Sequence, residues 1–555
     1  LSIHAIERLG SLIGTRLRVA VAILALAYVL PGLVGHDPWK QDETYVTGIV
    51  YDQSLSENWI VPRSAGAPFL EKPPLYYLVA EESADALRGV LPLHDAARLT
   101  NVFWMAIVIG CVGFAARLSW PRQPLADVTA VLLLLCCPGL LIPSHMLVVD
   151  VALLAGFAVA YVGFAWMATR PLIAGVVLGT GVGLAFMAKG LLGPGCIGLT
   201  ALLLPIASRA WRTRNALVGF MCAIFAALPW LIVWPLELYR QNPALFDAWL
   251  WQQNLGRFVG YAHLGAAPEH GYYLRILPFF ALPALALSAW TLWQRRRATD
   301  ATPMLAASLM LAAVTFVTLA VAGSMRAQYL LPLLVPLSVL GAADADRMPA
   351  RVERSAFHSG RAFAVFGAVA VWLAFIVAVA GHIPDWAPLD GVLPREHIAL
   401  PGRAIVALAF LATLLGAWGL RMHAAPLPGL RSWALGITLV WILCAALLFP
   451  WIDQAKSYRS VFESIRAKLP AKYGCVNSYR MGESEAAMLH YEGGVIAQPI
   501  DRLSNATCRY VIVQGARTGA LGFVPADWQL LWSGHRIADP KEMHRLYRRA
   551  QATSS

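Results

Sequence analysis

Asp127–Asp150 reads DVTAVLLLLCCPGLLIPSHMLVVD. Between its terminal acids the stretch holds no Asp, Glu, Lys or Arg. A bilayer core about 30 Å thick is crossed by ~20 apolar residues in a helix, and the run has that length. In hydrocarbon every backbone N–H and C=O must pair within its own segment, so the run is read as a membrane-spanning helix. A β-barrel would show alternating segments of ~10 residues, and the sequence has no such alternation.

Similar runs start near Val19, Leu99, Val151, Leu172, Leu191, Ala216, Ile276, Pro303, Tyr329, Ala362, Arg403 and Trp433. With the quoted run they predict about thirteen spans. The run after Leu172 is short, because Lys189 divides it from the next. Composition agrees: the 555 residues are 58% hydrophobic and 14% charged, where a soluble chain carries about 25%. The first run, Val19–Leu33, follows Arg8, Arg16 and Arg18. It lacks an A-x-A-like cleavage site and is read as a retained span.

A net charge of +12 would suggest nucleic acid in a soluble protein. Here most arginines flank spans, so no nucleic-acid partner is expected. With the N-terminus in the cytoplasm, the inner loops hold Arg117, Arg122, Arg170, the Arg209–Arg214 and Arg295–Arg297 groups, Arg347–Arg361, Arg421 and Arg431. The short outer loops hold little beyond Lys189, Arg326, Arg395 and Arg403. The bias follows the positive-inside rule. Lys189 is read as a snorkelling side chain.

Three long segments then fall outside: 36–96, 237–275, and a tail, 451–555, after a membrane region of 1–450. Two amphipathic stretches in the first, Thr44–Asn58 and Pro74–Leu87, are expected to lie in the interface, with Trp39, Trp59, Tyr76 and Tyr77 at headgroup level. The tail alternates helix (Lys456–Leu469, Glu483–Tyr491) with strand (Gly474–Tyr479, Arg509–Gln514, Trp528–Trp532, His544–Arg548), which predicts a small α/β domain. Six cysteines lie in apolar runs. Cys475 and Cys508 lie in the tail, and either pair, if it faces an oxidising compartment, or stay free.

Ionisable residues are costly in membranes, so their location is informative. They gather on the outer side: Asp42 and Glu43 after the first span, Glu71 and Lys72 in FLEKPPLYY, Asp150 at the end of HMLVV, and Arg257, His263, Glu269, His270 and Arg275 in the second loop. Arg326 and Tyr329 lie in SMRAQYLLPLL. Such a cluster suits group transfer between membrane-bound substrates. Lys72, Arg257 and Arg326, with the Tyr329 hydroxyl, can hold a lipid phosphate. Asp42 and Asp150 can act as base or stabilise charge at an anomeric carbon. Singly, each has a plainer reading: helix caps for Asp42, Glu43 and Asp150, an ion pair for Glu71–Lys72, an interfacial anchor for Arg326, loop residues for the histidines. Their gathering on one face favours a site.

The Asp42-Glu43 pair followed by NWIVPRSAGAPFLEKPPLYY (Asn58–Tyr77) resembles polyisoprenyl-phosphate glycosyltransferases of the GT-C type. Within that group it is most similar to the 4-amino-4-deoxy-L-arabinose (aminoarabinose) transferases of lipid A. NLGRFVGYAHLG (Asn254–Gly265) and RAQYLLPLL (Arg326–Leu334) extend the resemblance over nearly the whole chain. It implies a polytopic α-helical GT-C fold with a soluble α/β domain. It implies transfer of aminoarabinose from undecaprenyl phosphate to a lipid A phosphate at the periplasmic face of the bacterial inner membrane, which weakens attraction of cationic peptides such as polymyxin. Asp42 would be the leading catalytic carboxylate, with Asp150 the second acid. Lys72, Arg257, Tyr329 and Arg326 would hold the carrier phosphate. Glu71 would lie beside it. No cofactor is required, although Glu71, His263 and His270 leave room for a divalent metal ion. The acceptor, a phosphate monoester, is already ionised, so Asp42 is either a base or a positioning and electrostatic group. A protein O-mannosyltransferase-like enzyme shares the acidic pair. A transporter or lipid flippase would show paired repeats, broken helices and ionisable groups at the midplane; no repeat is evident, and the charges sit near one face.

Overall fold

The computed structural model describes residues 3–40, 42–56, 58–260, 269, 271–297, 302–381, 398–421, 426–517, 527–537, 539 and 542–550. Among these, six helices are long and apolar enough to cross a membrane: Leu93–Ser119, Pro171–Lys189, Arg214–Gln241, Pro303–Ala320, Ala350–Ala380 and Pro428–Lys468. Four shorter apolar helices accompany them: Asp150–Trp166, Leu192–Ala207, Ala327–Gly341 and Arg403–Gly419.

The Asp127–Asp150 stretch is not one straight helix. It forms Ala126–Cys136 and Pro138–His145, bent by 76°. The break is local chemistry: Pro138 has no N–H to donate, and its ring excludes helical backbone at the residue before it. Cys137 is accordingly extended, and Pro138 opens the second piece at a first-turn position. Tyr272–Phe280 and Ala284–Arg295 form a second bent pair, at 90°.

Asp150–Trp166 is buried along nearly its whole length. It packs antiparallel on Pro171–Lys189 through small residues. A Cβ on Gly156 would lie 2.5 Å from the Ala185 backbone nitrogen, and one on Gly181 2.3 Å from that of Ala160. Glycine at these two positions lets the backbones close to contact, the packing membrane helices rely on. This contact brings the start of one helix, Asp150, against the end of the other, Lys189. By contrast Arg214–Gln241 exposes Leu217, Met221, Ile224, Phe225, Ile232 and Val233, an apolar surface suited to lipid.

The tail folds around one mixed sheet. Numbering after a short hairpin, β1 (Arg63–Ser64) and β2 (Ala67–Pro68), its strands are β3 (Val476–Tyr479), β4 (Ala497–Ile500), β5 (Tyr510–Ala516), β6 (Trp528–Gly534) and β7 (Glu542–Arg549). Their order is β4-β3-β5-β7-β6. β3 runs parallel to β4 and β5, and β7 antiparallel to β5 and β6. The helices Arg459–Lys468 and Glu483–Gly493 match the sequence expectation. β4, AQPI, was not anticipated, since a short strand containing proline carries little signal. Cys475 and Cys508 form a disulfide, with Cα atoms 5.4 Å apart.

The first-loop helices depart from expectation. Asp42–Ser54 is buried from Asp42 to Val50. It lies between the membrane helices and Glu483–Gly493, where Gly48 sits so close that a Cβ would meet the Ala487 Cβ at 2.6 Å. It is therefore a docking element, not a helix floating in the interface. Tyr76 and Tyr77, on Leu75–Ala86, are fully buried, and Tyr76 donates to Asn101 at 2.8 Å. Trp39 donates to Asp453 at 2.7 Å. Of the four aromatics expected at headgroup level, Trp59 alone is exposed.

Candidate active site

Asp42 opens the Asp42–Ser54 helix and is buried. Its Oδ1 accepts from the Arg326 guanidinium, and its Oδ2 from the Gln328 amide. Arg326 lies in extended backbone just before the 3-10 turn Ala327–Leu333, which brings both side chains onto one carboxylate. Burial pushes the Asp42 carboxyl up, but the charges of Lys72 and Arg326 outweigh it and hold the group below its ordinary range. Glu43, its neighbour, does something different. It is fully buried and pairs at 2.7 Å with Arg98, also fully buried. It accepts further bonds from the backbone N–H of Trp39 at 3.0 Å and of Leu147 at 3.1 Å. Glu43 thus ties the first loop to the membrane helices.

Three residues on from Asp42, and so on the same helix face, the Tyr45 hydroxyl accepts from Lys72 at 2.7 Å. Lys72 is itself buried and lies 3.7 Å from Glu71. Glu71 is hydrogen-bonded to Arg257. Burial raises the Glu71 carboxyl, and Lys72 with Arg257 outweigh that and lower it. Asp150 pairs with Lys189, whose Nζ lies 3.6 Å from the centre of the Tyr329 ring. Lys189 is therefore not a snorkelling side chain. It turns inward because Asp150 and an aromatic face compensate its charge there, a better environment than lipid.

Groups of this cluster line two cavities, whose walls touch through the Lys72–Tyr45 hydrogen bond. One, of about 290 Å³, has Glu71, Lys72, Lys189, Arg257 and Tyr329 at its polar end and Leu191, Leu192, Leu255, Phe258 and Leu319 along its wall. Its form suits a long apolar chain ending in an anion. The other, of about 680 Å³, is lined by Asp42, Tyr45, Tyr272, Arg326 and Gln328 on one side and by Lys40, Arg480, Glu483, Glu485 and Gln514 on the other. Its far wall is the tail domain.

Of the residues singled out in the sequence, Asp42, Glu71, Lys72, Asp150, Arg257, Arg326 and Tyr329 converge here. His263 and His270 lie outside the described residues. Among the described residues no group of three or more His, Cys, Asp or Glu is arranged to hold a metal ion, and the Glu71 carboxylate is engaged by Arg257. Sequence reasoning missed Lys189, Tyr45 and Gln328. The Lys189 signal was available, since a lysine ending an apolar run marks a site as readily as an anchor. Tyr45 was legible from its three-residue spacing to Asp42.

No family model matches the chain. It is 26% identical over 457 residues to the undecaprenyl phosphate-alpha-4-amino-4-deoxy-L-arabinose arabinosyl transferase of Yersinia enterocolitica, covering 79% of this chain and 77% of that one. It is 26% identical over 471 residues to the enzyme of the same name from Serratia proteamaculans, covering 83% and 79%. Among solved structures, ArnT from Cupriavidus metallidurans bound to undecaprenyl phosphate superposes with a TM-score of 0.67 at 17% identity, over 96% of this chain and 97% of that one. Its apo state gives a TM-score of 0.68 over 95% and 96%. The chain is similar in sequence to enzymes named as aminoarabinose transferases.

Its fold is thus an ArnT-like GT-C fold, and the acids and cations described above all lie on segments that this fold brings to one end of the helices. Asp42, Glu71–Lys72, Asp150–Lys189, Arg257 and Arg326–Tyr329 come from stretches separated by tens to hundreds of residues. Asp42 and Glu71–Lys72 come from the first loop, Asp150 and Lys189 from two helix ends and the rest from later segments, and together they form a surface that no single segment carries.

Proposed function

We propose that this chain transfers 4-amino-4-deoxy-L-arabinose from undecaprenyl phosphate to a phosphate of lipid A, at the periplasmic face of the bacterial inner membrane. The observation that carries the reading is the position of Asp42. It lines the larger cavity one helical turn from Tyr45, whose hydroxyl accepts from Lys72 of the cation-ended apolar cavity. The first cavity is read as the donor's: the isoprenyl chain lies along its leucines, and Lys72, Arg257, Arg326 and the Tyr329 hydroxyl take the carrier phosphate. The second is read as the acceptor's approach.

In the simplest course an acceptor phosphate oxygen attacks the anomeric carbon from the face opposite the carrier. The new C–O bond forms as the bond to the carrier oxygen breaks. Its electron pair leaves on undecaprenyl phosphate, and the configuration inverts. The cations stabilise the charge that grows on the departing phosphate. Asp42, ionised and fixed on both oxygens, offsets positive charge at the anomeric carbon, with Asp150 as second acid and Glu71 holding Arg257 in place. An ionised acceptor needs little deprotonation, so Asp42 is read as an electrostatic group before a base. No cofactor is required on this reading, because protein cations supply the compensation. The product masks lipid A phosphate charge and weakens binding of cationic peptides.

The topology goes with this reading. Among the described residues six helices are long and apolar enough to cross a membrane, or up to eight with each bent pair as one span; on this reading the four shorter apolar helices and Ile3–Val29 cross as well. With arginines on the inner side, the tail domain lies outside.

The test is mass spectrometry of lipid A from bacteria that lack their own transferase but make the donor, with and without this chain. One or two added aminoarabinose units, lost in Asp42→Asn, are expected. An unchanged mass with the protein folded in the membrane would overturn the assignment.

A further inference from the structure

The acids around the two cavities are paired, with one exception. Asp42 has Arg326, Glu71 has Arg257, Asp150 has Lys189, and Glu485 lies 2.6 Å from Lys40. Glu483 lines the outer cavity and is exposed to it. Among the described residues it has neither an ion pair nor a hydrogen bond.

Its position follows from the sheet. The connection leaving β3 runs through the Glu483–Gly493 helix to β4 on one side, while β5 leads to β6 and β7 on the other. The carboxyl ends of β3 and β5 are therefore a switch point. In open α/β sheets, ligands occupy the crevice outside such strand ends. Here the crevice is bounded by Glu483 and by Gln514 of β5, whose side-chain oxygen accepts from the Gly482 N–H at 2.9 Å. It opens onto the cavity that holds Asp42. Glu483 also feels the opposite wall. Partial burial and then Glu71 raise its carboxyl above the ordinary range, and the charges of Lys72, Arg257 and Arg326 offset this only in part. It is thus within electrostatic reach of the cations assigned to the carrier phosphate.

We propose that Glu483, from the tail domain, receives the protonated amine of the donor sugar and so sets the preference for an aminated sugar over its hydroxyl counterpart. The inference rests on the function proposed above. With nitrogen at C4 the pentose closes through O5 into a six-membered pyranose in which C1 and C4 are opposite, so a sugar whose C1 phosphate rests on Lys72 and Arg257 points its 4-amine away from them. An ammonium entering this cavity needs a carboxylate that is not already engaged. Asp42 does not offer one, since both its oxygens are taken by Arg326 and Gln328. The tail domain therefore supplies a specificity contact and is more than a cover over the first loop.

The experiment compares binding of three lipids to the full chain in vesicles: undecaprenyl phosphate, the same carrier bearing 4-amino-4-deoxy-L-arabinose, and the carrier bearing L-arabinose. The proteins are the wild type, Glu483→Gln and Glu483→Asp. In the wild type the aminated lipid is expected to bind roughly tenfold tighter than the hydroxylated one, as a charged hydrogen bond provides. Glu483→Gln removes that preference, Glu483→Asp keeps part of it, and all three proteins bind bare undecaprenyl phosphate alike. No preference in the wild type, or a preference that survives in Glu483→Gln, overturns the inference. Failure of the wild type to bind bare undecaprenyl phosphate overturns the functional reading itself.

Discussion

The Arg326 guanidinium meets the Asp42 carboxylate across 284 residues of chain. Asp42 is buried and Arg326 part-buried, so the desolvation cost of the pair falls mainly on the carboxylate. Its orientation, with Gln328 on the second oxygen, keeps Asp42 ionised and held in place on the wall of the larger cavity.

Replacing Asp42 by Asn keeps the shape and a partner for Gln328 while removing the charge. Turnover is expected to fall by about 10²–10⁴, with folding and membrane insertion retained. A purified Asp42→Asn enzyme turning over within tenfold of the wild type would take Asp42 out of the chemistry.

Lys72→Ala and Arg257→Ala are expected to weaken binding of undecaprenyl phosphate by a few kcal/mol at most each. Titration of the lipid into vesicles holding each variant measures this directly. Affinities equal to the wild type would move the phosphate elsewhere.

Glu43 should behave unlike its neighbour. Arg98 is fully buried with it and also pairs with Asp95 at 2.7 Å, so Glu43→Gln breaks one of its two ion pairs and is expected to destabilise by about 1–3 kcal/mol. Melting temperature and folded yield are the readouts. A variant as stable as the wild type, but inactive, would make Glu43 a catalytic group and not a strut.

The tail domain carries an acid-sensitive histidine. His544, on β7, is fully buried beside Tyr458 and Phe462. Burial, with Arg536 and Lys40 and against Glu485 and Asp539, lowers its pKa from 6.5 to about 4. Between those values the unfolded chain binds a proton that the folded one refuses. Stability is therefore full above pH ~6.5 and falls by up to about 3 kcal/mol as pH drops to ~4. In melting curves across this range, His544→Leu should show a shallower pH slope than the wild type. Parallel slopes would place the acid sensitivity in other groups.

Reduction of Cys475–Cys508, 33 residues apart, is expected to cost the tail domain about 2–4 kcal/mol. Peptide mass analysis without reductant should find the linked pair. Two free thiols would show that the domain folds without it.

The membrane character, the acids and cations of the outer loops and most elements of the tail were legible because they are local. Hydrocarbon demands uninterrupted apolar helices, and alternating strands demand period two. The sequence alone also singled out Asp42, Lys72, Arg257 and Arg326, since ionisable groups beside a bilayer are costly without a purpose. Which acid meets which base was decided by tertiary structure. Asp42 and Glu43 are adjacent in sequence, yet successive helical positions point about 100° apart, so one faces the cavities and the other Arg98. Lys189 looked like an anchor until close Gly–Ala packing set it against Asp150. Glu483 was legible only as the start of a tail helix, and the sheet places it on the wall of the cavity that holds Asp42. Pairings of this kind depend on contacts between distant segments, and a one-dimensional pattern carries no record of those distances.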